Sequence, residues 1–241
     1  MDTPLISIIT ITYNASKVLP VTIRSVMEQD YSDFEHLIID GASTDDTLEI
    51  ARSNPGARIL SEKDAGLYDA MNKGLRMARG KYVLFLNAGD SFRTKDTLSN
   101  FAREAEKDKD IIYADTMVVD SNGKDIAPRH HTAPDLLTFE SFSKGMLVCH
   151  QAFMVKKEIA PEYDLSYRFS ADYDWTVKCI KNTTPERCVN LNYYAINYLS
   201  DGLTDKNKMK SLRERYRIMS RHYGYYPTLL HHIKLVLGIK K

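Results

Sequence analysis

Three aspartates, Asp40, Asp90 and Asp172, stand at positions where a carboxylate could do chemistry. Asp40 ends the short apolar run HLIID, and the glycine after it permits a tight turn. Its carboxylate could accept the N3–H of a uracil, and Tyr13, which follows another apolar run, could stack on a flat base. Taken alone, however, the Asp40 pattern is more typical of a turn with a helix cap, and a single tyrosine after a strand is usually packed.

Asp90 closes the segment NAGD (87–90), directly after the most apolar run of the chain. A carboxylate there could bind a divalent cation that bridges two phosphates. Mg²⁺ and Mn²⁺ prefer oxygen ligands and commonly use one or two protein carboxylates. The alternative interpretation is an N-cap or an Asx-turn, and Asp90 alone does not decide between them.

The second half of the chain carries two further sets of polar candidates. Asp172 and Asp174 open a predicted helix, where an ionised carboxylate is stabilised by about 0.3–1 kcal/mol. Such a carboxylate could take a proton from an attacking hydroxyl, although compensation of the helix dipole explains one of the two acids. His150 and Gln151 interrupt an apolar run and cost about 1–3 kcal/mol each unless they find partners. They are therefore either satisfied core residues or the lining of a pocket.

The predicted elements of residues 5–119 would bring the first candidates to one sheet edge. Strands are predicted at 5–12, 36–40, 57–62, 81–87 and 110–119, with helices at 17–28, 66–78 and 94–107. This alternation predicts an α/β fold with a mostly parallel sheet and helices on both faces. Ligands of such sheets bind outside the carboxyl ends of the strands. The polar residues there are Asn14, Asp40, Glu62, Asp64, Asn87 and Asp90.

From about residue 120 the alternation fails. Residues 126–145 are irregular, 146–157 are predicted to form a strand, 171–182 a helix and 187–199 a strand-rich segment. Residues 205–223 predict a basic amphipathic helix. Its apolar stripe would consist of Met209, Leu212, Tyr216, Met219 and Tyr223.

The composition is typical of a soluble globular protein, with 43% apolar and 27% charged residues among 241. The three cysteines lack metal-ligand spacing, so we expect free thiols in a reducing compartment. The N-terminus has no basic start and predicts a strand rather than a signal peptide. No uninterrupted apolar stretch reaches about 18 residues, so we expect no transmembrane helix and a cytoplasmic location.

The charge of the chain is unevenly distributed. Residues 205–241 contain ten Lys or Arg and two Asp or Glu, a net +8, so the rest of the chain carries −7 of the total +1. The segment YYPTLLHHIKLVLGIKK adds a run of apolar residues to this basic tail. Such a composition suits a helix lying on an anionic membrane, here the inner face of the plasma membrane. The alternatives are a solvated helix, a helix docked on the protein's own core, or a contact in a homodimer.

Four segments, in their order and spacing, resemble the family 2 inverting glycosyltransferases of the GT-A fold, of the type found in bacterial polysaccharide biosynthesis. They are ISIITITYN, LIIDGASTDDT, SEKDAGLYDAMNKGLRMARGKYVLFLNAGD and SADYDW, and the resemblance covers roughly residues 5–200. It implies a Rossmann-like central sheet within a transferase domain at 1–204. Residues 1–119 would form the nucleotide-sugar-binding half, 120–204 the acceptor-side half and 205–241 a helical extension.

The resemblance also implies roles for the candidate residues. Asp172 would be the catalytic base and Asp90 the ligand of a Mn²⁺ or Mg²⁺ ion. The implied nucleotide and donor contacts are Thr12, Tyr13, Asn14, Asp40, Asp64, Asn72, Asn87, Ala88 and Gly89. The implied acceptor-side residues are His150, Gln151, Asp174 and Trp175.

Two departures from the family pattern affect these roles. Asn87 and Gly89 stand where the common Asp-x-Asp-Asp metal motif has its first two acids, so only Asp90 remains. The diphosphate of the donor would then supply more of the metal's ligands, with the Asn87 carbonyl oxygen available to help. Ala171 replaces the glutamate that precedes the base, which makes Asp172 the less ambiguous candidate.

The expected reaction moves a sugar from a nucleotide-sugar, most simply a UDP-sugar, to a hydroxyl of a saccharide or lipid-linked saccharide. Two other functions stay open. A nucleotidyltransferase would usually need a Gly-rich basic loop after the first strand, which YNASKVLP lacks. A non-catalytic nucleotide-sugar-binding module is favoured by the missing acids at 87 and 89. Nucleic-acid binding is not expected, because the basic residues are confined to the tail.

Overall fold

The apolar runs in the first part of the chain form four parallel strands, as their composition predicts. In the computed structural model, which describes residues 3–200 and 208–236, the strands are β1 (Ile6–Thr12), β2 (Phe34–Asp40), β3 (Arg58–Ser61) and β4 (Tyr82–Phe85). The intervening helices are α1 (Leu19–Met27), α2 (Thr47–Arg52) and α3 (Leu67–Met77). The strands lie in the order β3, β2, β1, β4, and each adjacent pair is parallel.

The rest of the chain extends the same sheet on the β4 side. Its elements are β5 (Ser91–Phe92), α4 (Thr97–Glu106), β6 (Ile111–Val119), β7 (Asp125–Pro128), β8 (Phe153–Lys156), α5 (Ala171–Lys181) and β9 (Cys188–Leu199). After β4 the order continues β8, β6, β9, β5, with β7 paired to β6. Only β5, β7 and β8 among the described strands run against the rest. The predicted mostly parallel sheet is therefore confirmed.

Both faces of the sheet are covered, which explains why its strands are so apolar. On one face Ile9 and Phe85 pack with residues of α3 and α5, including Trp175. On the other face Ile8 packs with residues of α4, including Phe101. Successive strand residues point to opposite faces, so a strand buried on both faces needs no alternation of apolar and polar residues.

The strand predicted at 146–157 is wrong over most of its length. Only Phe153–Lys156 form β8, while His150–Ala152 form a short 3-10 turn. The turn places His150 and Gln151 near two different aspartates. A continuous strand would send these neighbouring side chains to opposite faces of the sheet. The two-residue strand β5 and the strand β7 also escape sequence prediction, because neither has enough residues to show a periodic pattern.

Two helices, α6 (Lys208–Tyr223) and α7 (Tyr225–Val236), follow the sheet. The predicted helix is confirmed, but its apolar stripe is wrong at the start. Met209 and Leu212 are exposed, whereas Ser211, Ile218 and Met219 are buried. The face of α6 that packs against the protein therefore includes Ser211, which contacts the segment before α5, and differs from the face predicted by hydropathy. The predicted membrane segment ends with Leu237, Ile239, Lys240 and Lys241, which lie outside the described residues, as do 201–207.

His36 is a polar residue in the middle of the parallel half of the sheet. It lies on β2, is buried, and its two ring nitrogens are 2.9 Å from Thr10 Oγ1 and 3.0 Å from Asn54 Nδ2. Burial lowers the pKa of His36 to about 4. The folded protein therefore keeps this imidazole neutral in solutions where the unfolded chain would protonate it.

This difference predicts a loss of stability in mild acid. An unfolded histidine titrates near pH 6.5 and folded His36 near pH 4, so the unfolded chain binds the proton first as the pH falls. The contribution is complete above pH 6.5 and is lost on acidification, by about 2 kcal/mol at pH 5. Urea titrations at pH 7 and pH 5 should show a larger loss for the wild type than for His36→Gln. Equal losses would contradict the assignment.

Candidate active site

Asp40 ends β2 and fixes the loop that follows it. Asp40 Oδ2 accepts hydrogen bonds from Ser61 Oγ at 2.6 Å and Ser43 N at 3.1 Å, and Oδ1 accepts one from Ser43 Oγ. The side chain is fully buried. Asp40 thus joins the ends of β2 and β3, and a base could reach its carboxylate only if the Ser43 hydroxyl turned away.

Gly41, the next residue, lets an aromatic ring and a carboxylate approach the same stretch of backbone. A Cβ added at Gly41 would lie 2.6 Å from Asp64 Oδ2 and 3.2 Å from Tyr13 Cδ2. Tyr13 is exposed, and Asp64 Oδ1 accepts a hydrogen bond from Gly66 N at 2.9 Å. The ring can stack on a flat molecule while the carboxylate accepts its hydrogen bonds, so Tyr13 and Asp64 form one candidate surface.

The loop after β1 is tied to the loop after β2 through Asn14. Its φ of 47° is left-handed, a conformation that asparagine tolerates better than most residues. Asn14 Oδ1 accepts a hydrogen bond from Thr44 N at 2.9 Å, and Asn14 N donates one to Ser43 Oγ at 2.8 Å. Next to it, Thr12 Oγ1 is buried and has no partner within the described residues. Buried hydroxyls are normally bonded, so Thr12 is left with capacity for a bound molecule.

The turn after β4 is organised by a threonine from α1. Thr22 Oγ1 accepts a hydrogen bond from Gly89 N at 2.9 Å and donates one to Asp90 O at 2.7 Å. Gly89 has a φ of 101°, and a Cβ there would lie 2.9 Å from Leu199 Cδ2. Gly89 is therefore required by the backbone, whatever its place in the metal motif of related sequences. Ala88 donates its N–H to Ile11 O at 3.2 Å, which holds the turn to β1.

Asp90 is the most unusual carboxyl group of this edge. It is buried, Oδ2 accepts a hydrogen bond from Gln151 Nε2 at 2.9 Å, and Oδ1 accepts one from Leu199 N at 3.0 Å. Burial raises the pKa of Asp90 to about 7, although both hydrogen bonds favour the ionised form. A nearby positive charge would stabilise the ionised carboxylate.

The surroundings of Asp90 fit a divalent cation that takes only part of its ligands from the protein. Asn87 Oδ1, in the same turn, is buried and has no hydrogen-bond partner in the described residues. An amide oxygen and a carboxylate are both suitable ligands for Mg²⁺ or Mn²⁺. The described part of the chain holds no group of three His, Cys, Asp or Glu residues that could bind a metal. Phosphate oxygens or water would have to complete the coordination.

Asp172 lies in the first turn of α5 and is the accessible acid of this helix. Its side chain is 28% exposed, and Oδ1 accepts a hydrogen bond from Tyr68 Oη at 3.1 Å. Burial and the nearby Asp172 carboxylate raise the pKa of Tyr68 well above its usual value. Tyr68 therefore stays protonated and donates. Asp172 Oδ2 lies 4.0 Å from His150 Nδ1, too far for a hydrogen bond, and remains available.

His150 lies next to Asp172 and has a ring nitrogen without a hydrogen-bond partner among the described residues. It is buried beside the Phe85 ring, and its Nε2 has no partner among the described residues. Burial lowers the pKa of His150, against the opposing effect of Asp172. A neutral imidazole can both donate and accept a hydrogen bond, so His150 could orient a hydroxyl next to the carboxylate.

A sequence model described as Glycosyl transferase family 2 matches residues 7–164, which include β1 to β8 and the Asp40 and Asp90 turns. The chain belongs to glycosyl transferase family 2. This glycosyltransferase is similar to the PGL/p-HBAD biosynthesis glycosyltransferases of Mycobacterium tuberculosis and Mycobacterium bovis. The identity is 35% over 227 residues, which cover 88% of this chain and 85% of the relative.

Solved structures confirm the GT-A fold of the glycosyltransferase. S. aureus TarS 1-349 in complex with UDP-GlcNAc has a TM-score of 0.72 at 17% identity, covering 98% of this chain and 76% of that chain. Glucosyl-3-phosphoglycerate synthase from Mycobacterium tuberculosis, in complex with Mn²⁺, UDP and glucosyl-3-phosphoglycerate, has a TM-score of 0.64 at 14% identity. That match covers 92% of this chain and 80% of the synthase.

Two acceptor-side assignments of the glycosyltransferase need correction. Asp174 is fully buried, with its oxygens 2.7 Å from His222 Nε2 and 2.6 Å from Lys178 Nζ. Trp175 is also fully buried and donates its Nε1–H to Pro161 O at 2.7 Å. Asp174 joins α5 to α6 and Trp175 belongs to the core. In this conformation neither can contact an acceptor.

Two residues that organise the site of the glycosyltransferase escape sequence analysis, Thr22, which holds the Asp90 turn, and Tyr68, which holds Asp172. Gln151, expected on the acceptor side, donates its hydrogen bond to Asp90. The only available signal is weak. Tyr68 lies in the YDAMNKG segment that resembles the family, but its partner is more than 100 positions away.

Asn72, assigned to the donor by the resemblance, is instead a buried link between α3 and the segment before α5. Its Nδ2 donates to Tyr163 O at 3.0 Å, and its Oδ1 accepts from Tyr163 N at 2.7 Å. Tyr163 in turn stacks on Trp175, with ring centroids 5.0 Å apart. The amide of Asn72 is therefore fully used inside the protein.

Replacing Asn72 should lower stability and leave nucleotide binding alone. Asn72→Leu keeps a similar volume but strands the Tyr163 N–H and C=O, at about 1–3 kcal/mol for each buried group. We expect the free energy of unfolding in urea to fall by about 2–6 kcal/mol. The control is Arg76→Ala. Arg76 lies on the same helix as Asn72, and its replacement breaks an exposed ion pair with Glu162, which should cost less than about 1 kcal/mol. If Asn72→Leu bound UDP more weakly but unfolded with unchanged free energy, Asn72 would have to be assigned to the donor site.

Proposed function

We propose that this glycosyltransferase moves a sugar from a UDP-sugar to a hydroxyl of a saccharide or lipid-linked saccharide, with inversion. The observation that carries the proposal is Asp172, a partly exposed carboxylate with one oxygen held by Tyr68 and the other free to accept a proton. The other acid of the same helix turn, Asp174, is buried and ion-paired. That contrast leaves Asp172 as the base.

The chemistry follows from this placement. The acceptor hydroxyl gives its proton to Asp172 Oδ2 as its oxygen forms a bond to the anomeric carbon. The bond from that carbon to the nucleoside diphosphate breaks on the opposite face, which inverts the configuration. Tyr68 keeps its own proton and holds Asp172 in one orientation, and positioning of this kind accounts for much of the rate gain in enzymes. His150 would orient the acceptor hydroxyl.

The donor would lie along the edge formed by the loops after β1, β2 and β4. Tyr13 would stack on the base, and Asp64 would accept hydrogen bonds from the base or the ribose. Asp40 would shape the pocket through Ser43, and its direct bond to the base remains part of the proposal. The UDP-GlcNAc complex of TarS and the UDP complex of the mycobacterial synthase support a uridine nucleotide.

Asn87 and Asp90 would hold a divalent metal, for which the Mn²⁺ in the complex of the mycobacterial synthase is a precedent. Such a metal neutralises charge on the departing diphosphate. The protein's own contribution is to offer two oxygen ligands in a turn that Thr22 holds in place. With so few protein ligands, metal and donor should bind together.

Removing the base tests this proposal and separates it from a non-catalytic binding module. Asp172→Asn keeps the size of the side chain but cannot accept the proton, so we expect the transfer rate to fall by about 100- to 10,000-fold. UDP-sugar affinity, measured by calorimetry, should stay within about twofold, because Asp172 does not contact the nucleotide in this scheme. The exposed Asp135→Asn serves as control. A wild-type rate in Asp172→Asn would refute the assignment.

A membrane-bound acceptor is supported by the outer face of α7. Tyr226, Leu230 and Ile233 are exposed at i, i+4 and i+7, so they share one face of the helix. They belong to the tail whose net charge is +8. An exposed apolar stripe within a basic segment suits the surface of an anionic bilayer. Among the described residues, no helix combines the length and hydropathy that crossing a membrane requires.

Liposome flotation tests the membrane contact. We expect the wild type to float with vesicles containing phosphatidylserine, and Leu230→Ser to float less, since burial of a leucine contributes about 1.5–3 kcal/mol. Leu136→Ser is a matched control, because both leucines are 59% exposed and Leu136 lies outside the tail. Equal flotation of all three proteins would exclude this surface. A change from dimer to monomer in Leu230→Ser without a change in flotation would assign the stripe to a homodimer instead.

A further inference from the structure

One carboxylate of the C-terminal extension binds the chain immediately before the base. Glu214 Oε1 accepts a hydrogen bond from Arg168 N at 2.9 Å, and Oε2 accepts bonds from Phe169 N at 2.7 Å and Ser170 N at 3.0 Å. Three successive backbone N–H groups thus converge on one side chain of α6. Ser170 is the residue before α5, two positions from Asp172.

Two more side chains of α6 hold the same helix end. Ser211 Oγ lies 2.9 Å from Ser170 Oγ, and His222 Nε2 lies 2.7 Å from Asp174 Oδ1. Asp172 is therefore flanked in sequence, at 170 and at 174, by residues that α6 holds. Among the described residues, the Asp172 side chain makes one hydrogen bond, to Tyr68. Its location depends mainly on the backbone of the first turn of α5.

The backbone N–H groups before α5 need acceptors from outside the helix. The first N–H groups of a helix and of the loop before it have no partners within the helix and must be satisfied from outside. Ser170 makes no side-chain cap bond to α5. Glu214 supplies acceptors for the N–H groups of residues 168–170, and its negative charge lies near the helix end where the dipole favours it.

We propose that Glu214 is a positioning residue for the catalytic base, so that α6 is part of the catalytic unit rather than an appendage. The inference rests on the proposed role of Asp172. α6 is also held by apolar contacts, because Ile218 and Met219 belong to the core cluster around α5. Loss of Glu214 should therefore loosen residues 168–172 without detaching the helix.

The experiment compares Glu214→Ala, Glu214→Gln and the exposed neighbour variant Arg213→Ala in the full chain. We expect kcat of Glu214→Ala to fall by about 10- to 100-fold, since a misplacement of about 1 Å can cost about 100-fold. The donor KM and the thermal midpoint should stay close to wild type. Glu214→Gln keeps one acceptor oxygen and should lie between, while Arg213→Ala should match the wild type. Hydrogen exchange at the amides of 168–170 should accelerate in the order wild type, Gln, Ala.

The outcomes separate this proposal from the one on which it rests. An active Asp172→Asn would refute the base itself, and the Glu214 proposal with it. With Asp172→Asn inactive, wild-type kcat in Glu214→Ala despite faster exchange at 168–170 would overturn the positioning role alone. A parallel loss of kcat, donor affinity and thermal stability would also overturn it, because that pattern reports general unfolding. A selective loss of kcat with partial rescue by glutamine would support it.

Discussion

The buried carboxylate of Asp90 is the interaction on which the two halves of this fold depend. It lies where the turn after β4, the short turn at His150–Ala152 and the end of β9 meet. A carboxyl group removed from water must receive hydrogen bonds, and Gln151 and Leu199 N provide them. The raised pKa shows that two hydrogen bonds do not fully replace the lost water. The protein thus keeps a group in its interior that is not at its electrostatic optimum, as is common for residues kept for function.

This junction also separates two kinds of surface. The loops after β1, β2 and β4 are fixed by short polar contacts, such as those of Asn14 and Asp40, and present Tyr13 and Asp64 outward. On the other side, Asp172 is set against a wall of buried aromatic residues that includes Tyr68. A loop cluster fixed by polar contacts suits the proposed recognition of a nucleotide, whereas a partly exposed carboxylate beside buried aromatic rings suits the proposed proton transfer. Membership of glycosyl transferase family 2 agrees with this division.

Local sequence patterns predict much of this architecture, because a strand buried on both faces is apolar along most of its length. The parallel half of the sheet and the aspartates at its edge could therefore be predicted. Contacts between distant segments could not. Asn72 looks like a donor ligand until Tyr163 is seen to use both ends of its amide. Asp172 and Asp174 both lie in the first turn of α5, and only the contacts of Asp174 with His222 of α6 and with Lys178 show that it is buried and ion-paired. The buried face of α6 could not be predicted from hydropathy for the same reason, since Ser211 is buried by its contact with the distant Ser170.

The connectivity of the sheet has a consequence for the order in which the chain can fold during synthesis. Segments leave the ribosome in order from the N-terminus, and the residues of β1 to β4 are all present once the first 85 residues have emerged. Asp90, however, waits for residues 151 and 199, and the segment before Asp172 waits for residue 214. The residues that hold the loops after β1 and β2 are therefore present in the nascent chain well before the residue that holds the segment preceding Asp172. Under the proposed roles, the loops that would contact the nucleotide are synthesised well ahead of the helix that would position the base.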